Sequence, residues 1–169
     1  LKNGKLNGKL ISYYSNGQTK KTGVFLNGNE NGAFKEYSEN GNLEFEYSKK
    51  NGEYNGSFKT YFENGKLKKS GSFVNGKKNG KFIEYDVQGN KTAEYSMSND
   101  LTNGLLTFYE NNKISHSTSY KNDIKNGQYI EYYYNDDNGE LFLKQYGQYL
   151  NDEKNGTWKL NVIEEGKER

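Results

Sequence analysis

Residues 75–80 read NGKKNG, two Asn-Gly pairs four residues apart in a stretch that follows neither a helical nor a strand period. The same six-residue form recurs as NGKLNG at 3, NGNENG at 27, NGEYNG at 51, NDLTNG at 99, NDIKNG at 122 and NDEKNG at 151. Two readings compete. Gly71 to Lys78, GSFVNGKK, approximates a phosphate-binding loop up to its last position, where the Ser or Thr that ligates magnesium is replaced by Lys78. Alternatively, each pair is a turn, because Asn and Gly both tolerate the positive φ of a tight hairpin.

Spacing decides between them. Asn7-Gly8, Asn31-Gly32, Asn55-Gly56, Asn79-Gly80 and Asn103-Gly104 fall 24 residues apart, and Asn126-Gly127 and Asn155-Gly156 follow at 23 and 29. A fixed period of this length marks a tandem array. A second turn signal lies nine residues after the first, at Asn16-Gly17, Asn40-Gly41, Asn64-Gly65 and Gln88-Gly89. In the fifth unit it is Asn111-Asn112, one residue early, and in the sixth it is Asn138-Gly139, delayed by three residues. The intervening segments are strand-length. Two strands and two turns per unit predict a chain of hairpins with boundaries 3–30, 31–54, 55–78, 79–102, 103–125, 126–154 and a partial 155–169.

The second strand of each unit alternates between faces, with Leu43, Phe45 and Tyr47 on one side and Glu44, Glu46 and Ser48 on the other. Gly23-x-Phe25, Gly71-x-Phe73 and Gly147-x-Tyr149 trade places with Tyr47-x-Lys49 and Tyr95-x-Met97, which predicts a large ring lying over a glycine of a nearby strand. On the first strand, Leu10, Phe34, Phe58, Phe82, Leu106, Tyr129 and Trp158 form one column. Tyr13, Tyr37, Tyr61, Tyr85, Tyr109 and Tyr132 form another, three residues on. Such a spacing puts the columns on opposite faces unless a bulge intervenes. The first column is assigned to the packed face and the Tyr column to the strand ends near the turns.

The composition fits a thin structure. Leu, Ile, Val and Phe make up just under a fifth of the 169 residues, while 16 Tyr, 9 Phe and 1 Trp supply large amphipathic rings. A net charge of +2 lacks the self-repulsion typical of disordered chains. The fold expected is all-β: an elongated, single-layer, twisted antiparallel sheet of tandem β-hairpins, open-ended and without helices, of about 13 strands and roughly 60 Å in length. The terminal stretch NVIEEGKER, 161–169, supplies an edge strand and a charged tail.

This hairpin repeat resembles the MORN repeat. Gly23-Phe25-Gly28-Gly32 and Gly71-Phe73-Gly76-Gly80 show its glycine and aromatic spacing, and the fuller N-G-x-F-x-x-Y-x-x-N-G-x-L pattern resembles the bacterial variant from Asn3 to about Leu160. The resemblance implies an elongated sheet used as a binding or assembly module that engages a protein or peptide partner, in some members antitoxin-like. The repeat is also found attached to lipid kinases, so it implies an alternative as a peripheral module on anionic phospholipid, and a phosphatidylinositol phosphate kinase label can be inherited from it. That label is rejected here, because hairpins leave no room for a nucleotide loop, a catalytic Asp and metal ligands. The sequence departs from the family pattern where Lys, Ser or Thr replace aromatic columns near the glycines.

No catalytic, metal or cofactor site is assigned. There is no Cys, and His116 lacks partners for nucleophilic or metal chemistry, so it is read as a packing residue. The acidic run Asp136-Asp137 with Asn135, Asn138 and Glu140 does not match an EF-hand loop and is read as a solvated tip. Balanced charge, with Lys supplying nearly all the cations, argues against nucleic acid. The partner-binding candidates are Tyr13, Tyr37, Tyr61, Tyr85, Tyr109 and Tyr132, and the lipid alternative rests on Lys20-Lys21 and Lys77-Lys78 as basic turns. Localisation is left open between the cytoplasm and export after removal of an upstream signal.

Overall fold

The computed structural model describes residues 4–134 and 140–161. The turn read at Asn138-Gly139, the acidic run at 135–139, Asn3 and the terminal segment beyond 161 lie outside them. Among the described residues there is no helix. The strands are β1 Gly8–Tyr13, β2 Thr19–Leu26, β3 Asn29–Glu30, β4 Gly32–Tyr37, β5 Leu43–Lys50, β6 Glu53–Tyr61, β7 Leu67–Val74 and β8 Lys77–Lys78. They continue with β9 Gly80–Tyr85, β10 Lys91–Ser98, β11 Leu101–Thr102, β12 Gly104–Glu110, β13 Lys113–Lys121, β14 Ile124–Tyr134, β15 Leu141–Leu150 and β16 Glu153–Leu160. All belong to one open antiparallel sheet. Thirteen follow one another across it, while the two-residue β3, β8 and β11 pair beside β2, β7 and β10.

NGKKNG shows how the links work. Asn75 and Gly76 have φ of 49° and 79°, and Val74 pairs with Lys77 across them, the signature of a two-residue type I′ turn. Asn-Asp serves equally well at Asn122-Asp123, where φ is 53° and 67°. The second pair, read above as part of a turn, is instead a bulge in the returning strand. The Asn79 N–H donates to Ser72 O, and the register passes from Phe73↔Lys78 to Ser70↔Ile83, so the returning strand accommodates two extra residues. Lys77-Lys78 therefore lies in a strand, as does Lys20-Lys21, which corrects their reading as turns.

Successive links are stitched together by backbone hydrogen bonds. The N–H groups of Gly28, Gly52 and Gly76 donate to the carbonyls of Leu6, Glu30 and Tyr54, one unit back, at 2.8–2.9 Å. Where Asp replaces Gly the bond is retained, from Asp123 N–H to Thr102 O, and the Asp123 carboxylate also accepts from Thr102 N–H at 2.6 Å. At the opposite edge the hairpin tips are longer. Gly17 N–H donates to Tyr14 O and Tyr14 N–H to Gln18 O, a pattern repeated at Ser38–Asn42, Phe62–Lys66 and Asp86–Asn90. The fifth tip is tighter, a two-residue turn at Asn111-Asn112 with φ of 51° and 64°, and this accounts for the 23-residue spacing.

Packing is one-sided. Phe34 and Phe82 are 1% and 0% exposed, with Tyr47 and Ala93 also buried. The expected ring-over-glycine contact is present three times: a Cβ on Gly23, Gly71 or Gly147 would stand 2.0, 2.2 or 2.3 Å from Phe34, Phe82 or Trp158. Each ring occupies the place of the missing side chain. In a single layer this offers a ring close cover that no second sheet provides.

Candidate functional site

The packed face carries a row of rings with cations laid over it. Phe34 stacks on Tyr47 with centroids 5.5 Å apart, and Phe82 stacks on Tyr95 at 5.7 Å. Tyr54 and Phe73, with Phe58 beside them, bridge the two stacks through contacts of 5.2–6.3 Å. The stacks are 48 residues apart, so the packing unit spans two hairpins, one with Gly and one with Tyr in the second strand.

Each stack has its own charge cluster. Lys21 Nζ lies 5.2 Å from the Phe34 centroid and pairs with Glu30 at 2.6 Å and Glu36 at 3.1 Å. Glu36 also accepts from Tyr47 OH, and Lys49 pairs with Glu30. Burial alone would lower Lys21, but the hydrogen bonds to Glu30, Tyr47 and Glu36 outweigh it and hold the ammonium above the ordinary lysine range. Burial pushes the other way on Glu30, and the bonds from Lys21 and Lys49 hold it below the ordinary carboxylate range. In the second cluster, Lys69 pairs with Glu84 at 2.7 Å and Tyr95 OH donates to Glu84 at 2.8 Å.

The copies differ at two places. The fourth residue of each link points onto the packed face, where Glu30 pairs across to Phe25 and Lys78 pairs across to Phe73. Glu30 joins two lysines, whereas Lys78 forms no ion pair among the described residues and acts on Glu84 only through its charge at longer range, and Met97 stands where the first copy has Lys49. The first cluster is thus neutral and the second carries an excess cation. Lys78 lines an open groove of about 590 Å³ with Phe45, Phe58, Thr60, Lys69 and Phe73, and also a neighbouring depression of about 310 Å³ with Tyr95, Met97 and Leu106.

The Tyr column is arranged differently. Tyr13, Tyr37, Tyr61 and Tyr85 end β1, β4, β6 and β9, as expected for residues near the turns. Tyr109 lies one residue from the end of β12, and Tyr132 is inside β14. A register shift precedes each of Tyr13, Tyr37 and Tyr61, with the extra residue on the partner strand, so the Tyr strands keep their alternation and the two columns stay on opposite faces. Tyr61 reaches Glu46 on the reverse face, and burial together with that carboxylate pushes its hydroxyl up to about 12. Only Tyr61 of the six also borders the main groove, whereas Tyr37 lines a separate depression with Gln18 and Thr22. The column is a row along the hairpin-tip edge, not the wall of one site.

The sequence profile of the MORN repeat variant matches residues 6–27, 30–51 and 54–75. Residues 6–75, under half of the chain, are three tandem MORN repeats. No curated protein matches it. The matched MORN segments contain the whole first cluster and most of the groove wall, while Lys78 and Phe82 lie just beyond them. MORN repeats form modules that generally bind or scaffold and are generally non-catalytic. His116 takes the place of Lys21 and Lys69 on the packed face, stacked on Phe108 at 4.5 Å and opposite Glu131.

Sequence reasoning named Lys78 only together with Lys77, as a basic turn for anionic lipid, and not as a residue of the aromatic face. Its signal was present in the opening motif: NGNENG in one copy and NGKKNG 48 residues later exchange an acid for a base at the fourth position.

Proposed function

We propose that this chain is a non-catalytic binding module whose packed face receives an extended segment of a protein partner, with apolar side chains against Phe45, Phe58 and Phe73 and a carboxylate on Lys78. The observation that carries this reading is Lys78, a cation without an ion pair among the described residues beside a half-exposed aromatic groove. A buried or half-buried ammonium gains from a carboxylate partner, and aromatic rings supply most of the contact energy of such interfaces. The Tyr row, Tyr61 above all, would flank that segment at the tip edge.

The lipid reading draws less support, because Lys21 of the Lys20-Lys21 pair is already held by Glu30 and Glu36. The test is capture on immobilised chain from the source cell, alongside sedimentation with anionic phospholipid vesicles. The expected result is a specific protein retained by the parent chain and lost with Lys78→Glu, which restores the residue of the first copy, and with Phe58→Lys. Salt-sensitive sedimentation with vesicles and no retained protein would overturn the proposal in favour of the lipid alternative.

A further inference from the structure

Three hairpin tips carry the same Asn-Gly pair, Asn16-Gly17, Asn40-Gly41 and Asn64-Gly65, and hold it in the same backbone turn. The glycine N–H is engaged alike in all three, donating to Tyr14 O, Ser38 O and Phe62 O at 3.0, 2.9 and 2.8 Å. The side-chain amides are not equivalent. Asn16 Oδ1 accepts from Gln18 N–H and its Nδ2 donates to Glu39 O, both at 2.9 Å. Asn64 repeats this with Lys66 N–H and Val87 O, both at 3.0 Å. Asn40 has neither bond among the described residues and is exposed.

A single side chain accounts for the loss of the first of these bonds. The N–H that Asn40 should accept, that of Asn42, donates instead to Ser38 Oγ at 3.2 Å. Units one and three have Tyr14 and Phe62 at that position, with no oxygen on Cβ, so the N–H goes to the asparagine. In unit four Asp86 also takes the N–H, of Asn90, but the tip residue there is Gln88, which would have to close a larger ring.

We propose that Asn40 is the site at which the folded chain converts to isoaspartate most readily among these tips. The Gly41 amide nitrogen, on losing its proton, bonds to Asn40 Cγ, and the Cγ–Nδ2 bond breaks to release ammonia. Water then opens the succinimide at either carbonyl, leaving aspartate or isoaspartate. Water is the only co-reactant. The two hydrogen bonds at Asn16 and Asn64 oppose this step by holding the carboxamide away from the attacking nitrogen, and Ser38 removes the first of them from Asn40.

The test is incubation of the whole chain under mildly alkaline conditions, followed by peptide mapping that separates isoaspartate from asparagine, for the native chain, the urea-unfolded chain and Ser38→Ala. Asn40 in the native chain is expected to convert at least about fivefold faster than Asn16 and Asn64, the factor that one net hydrogen bond supplies. The three rates should converge in urea, and Ser38→Ala should slow Asn40 toward the rate of the other two. Equal native rates, an excess at Asn40 that persists in urea, or an excess that Ser38→Ala leaves unchanged would each overturn the assignment.

Discussion

Residues 8–98 and residues 104–160 share one backbone plan and differ in what they place on it. Both have type I′ links stitched unit to unit, and both put a ring beside its cross-strand neighbour. In the first region Phe34 and Phe82 are wholly buried over Gly23 and Gly71, each capped by a Lys, Glu and Tyr cluster. In the second, the position of Gly71 is filled by a buried Thr118, the lysine by His116, and the ring column by a half-buried Tyr129. The turn and bulge geometry therefore tolerates a wide range of contents. What the contents set is how tightly each hairpin pair is fastened.

The largest expected contrast comes from truncating the rings. Phe82→Ala and Phe34→Ala should each cost about 3–5 kcal/mol in denaturant unfolding, whereas Tyr129→Ala should cost about 2 kcal/mol because less of its surface is withdrawn from water. Equal costs would erase the distinction between the regions. Exchanging the residues beneath the rings comes next. Gly71→Thr should cost about 2–3 kcal/mol by driving a side chain into Phe82, and the reverse change Thr118→Gly about 1 kcal/mol, measured in the same way.

The charge clusters make a smaller, pH-dependent contribution. Burial tends to lower Lys69, but its bond to Glu84 leads the group of interactions that raise it above the ordinary value. Burial tends to raise Glu84, and the bonds from Lys69 and Tyr95, with the nearby charge of Lys78, hold it down. The lysine's share of stability is thus complete below the ordinary lysine value and is lost as pH rises through the raised folded value. The carboxylate's share is present above the ordinary Glu value and is lost as pH falls through the lowered folded value. Lys69→Met should accordingly cost about 1 kcal/mol at neutral pH, and the cost should fade below about 4 and above about 10, as read from urea unfolding across pH. The smallest effect is at the links. Asp123→Gly keeps the turn but removes the carboxylate from Thr102 N–H, so exchange of that amide should quicken with little change in the midpoint.

Much of this plan was legible in the sequence, because period and alternation are local properties of a strand and its turns. The hairpin order, the strand count across the sheet and a large ring lying over a glycine follow from the 24-residue spacing and from trading large against small, though that the ring over Gly71 is Phe82 did not. Two further things did not follow. Asn79-Gly80 resembles the type I′ pair at Asn75-Gly76, yet only the register with β7 shows that it is a bulge. Because a bulge changes which face a residue meets, the placement of Lys78 on the aromatic face, and hence the groove, was hidden. The pairing of Lys21 with Glu36 was hidden for the same reason, since the two meet only across β2 and β4, beyond the bulge at Asn31-Gly32.

The central claim is that a ring held over a glycine fastens each two-hairpin unit of the first region, and a double-mutant cycle on Gly71 and Phe82 tests it most directly. Gly71→Ala should cost about 2 kcal/mol in the parent chain and almost nothing once Phe82→Ala has emptied the space above it, since residues in contact couple. Costs that simply add, with Gly71→Ala equally damaging in both backgrounds, would contradict the account.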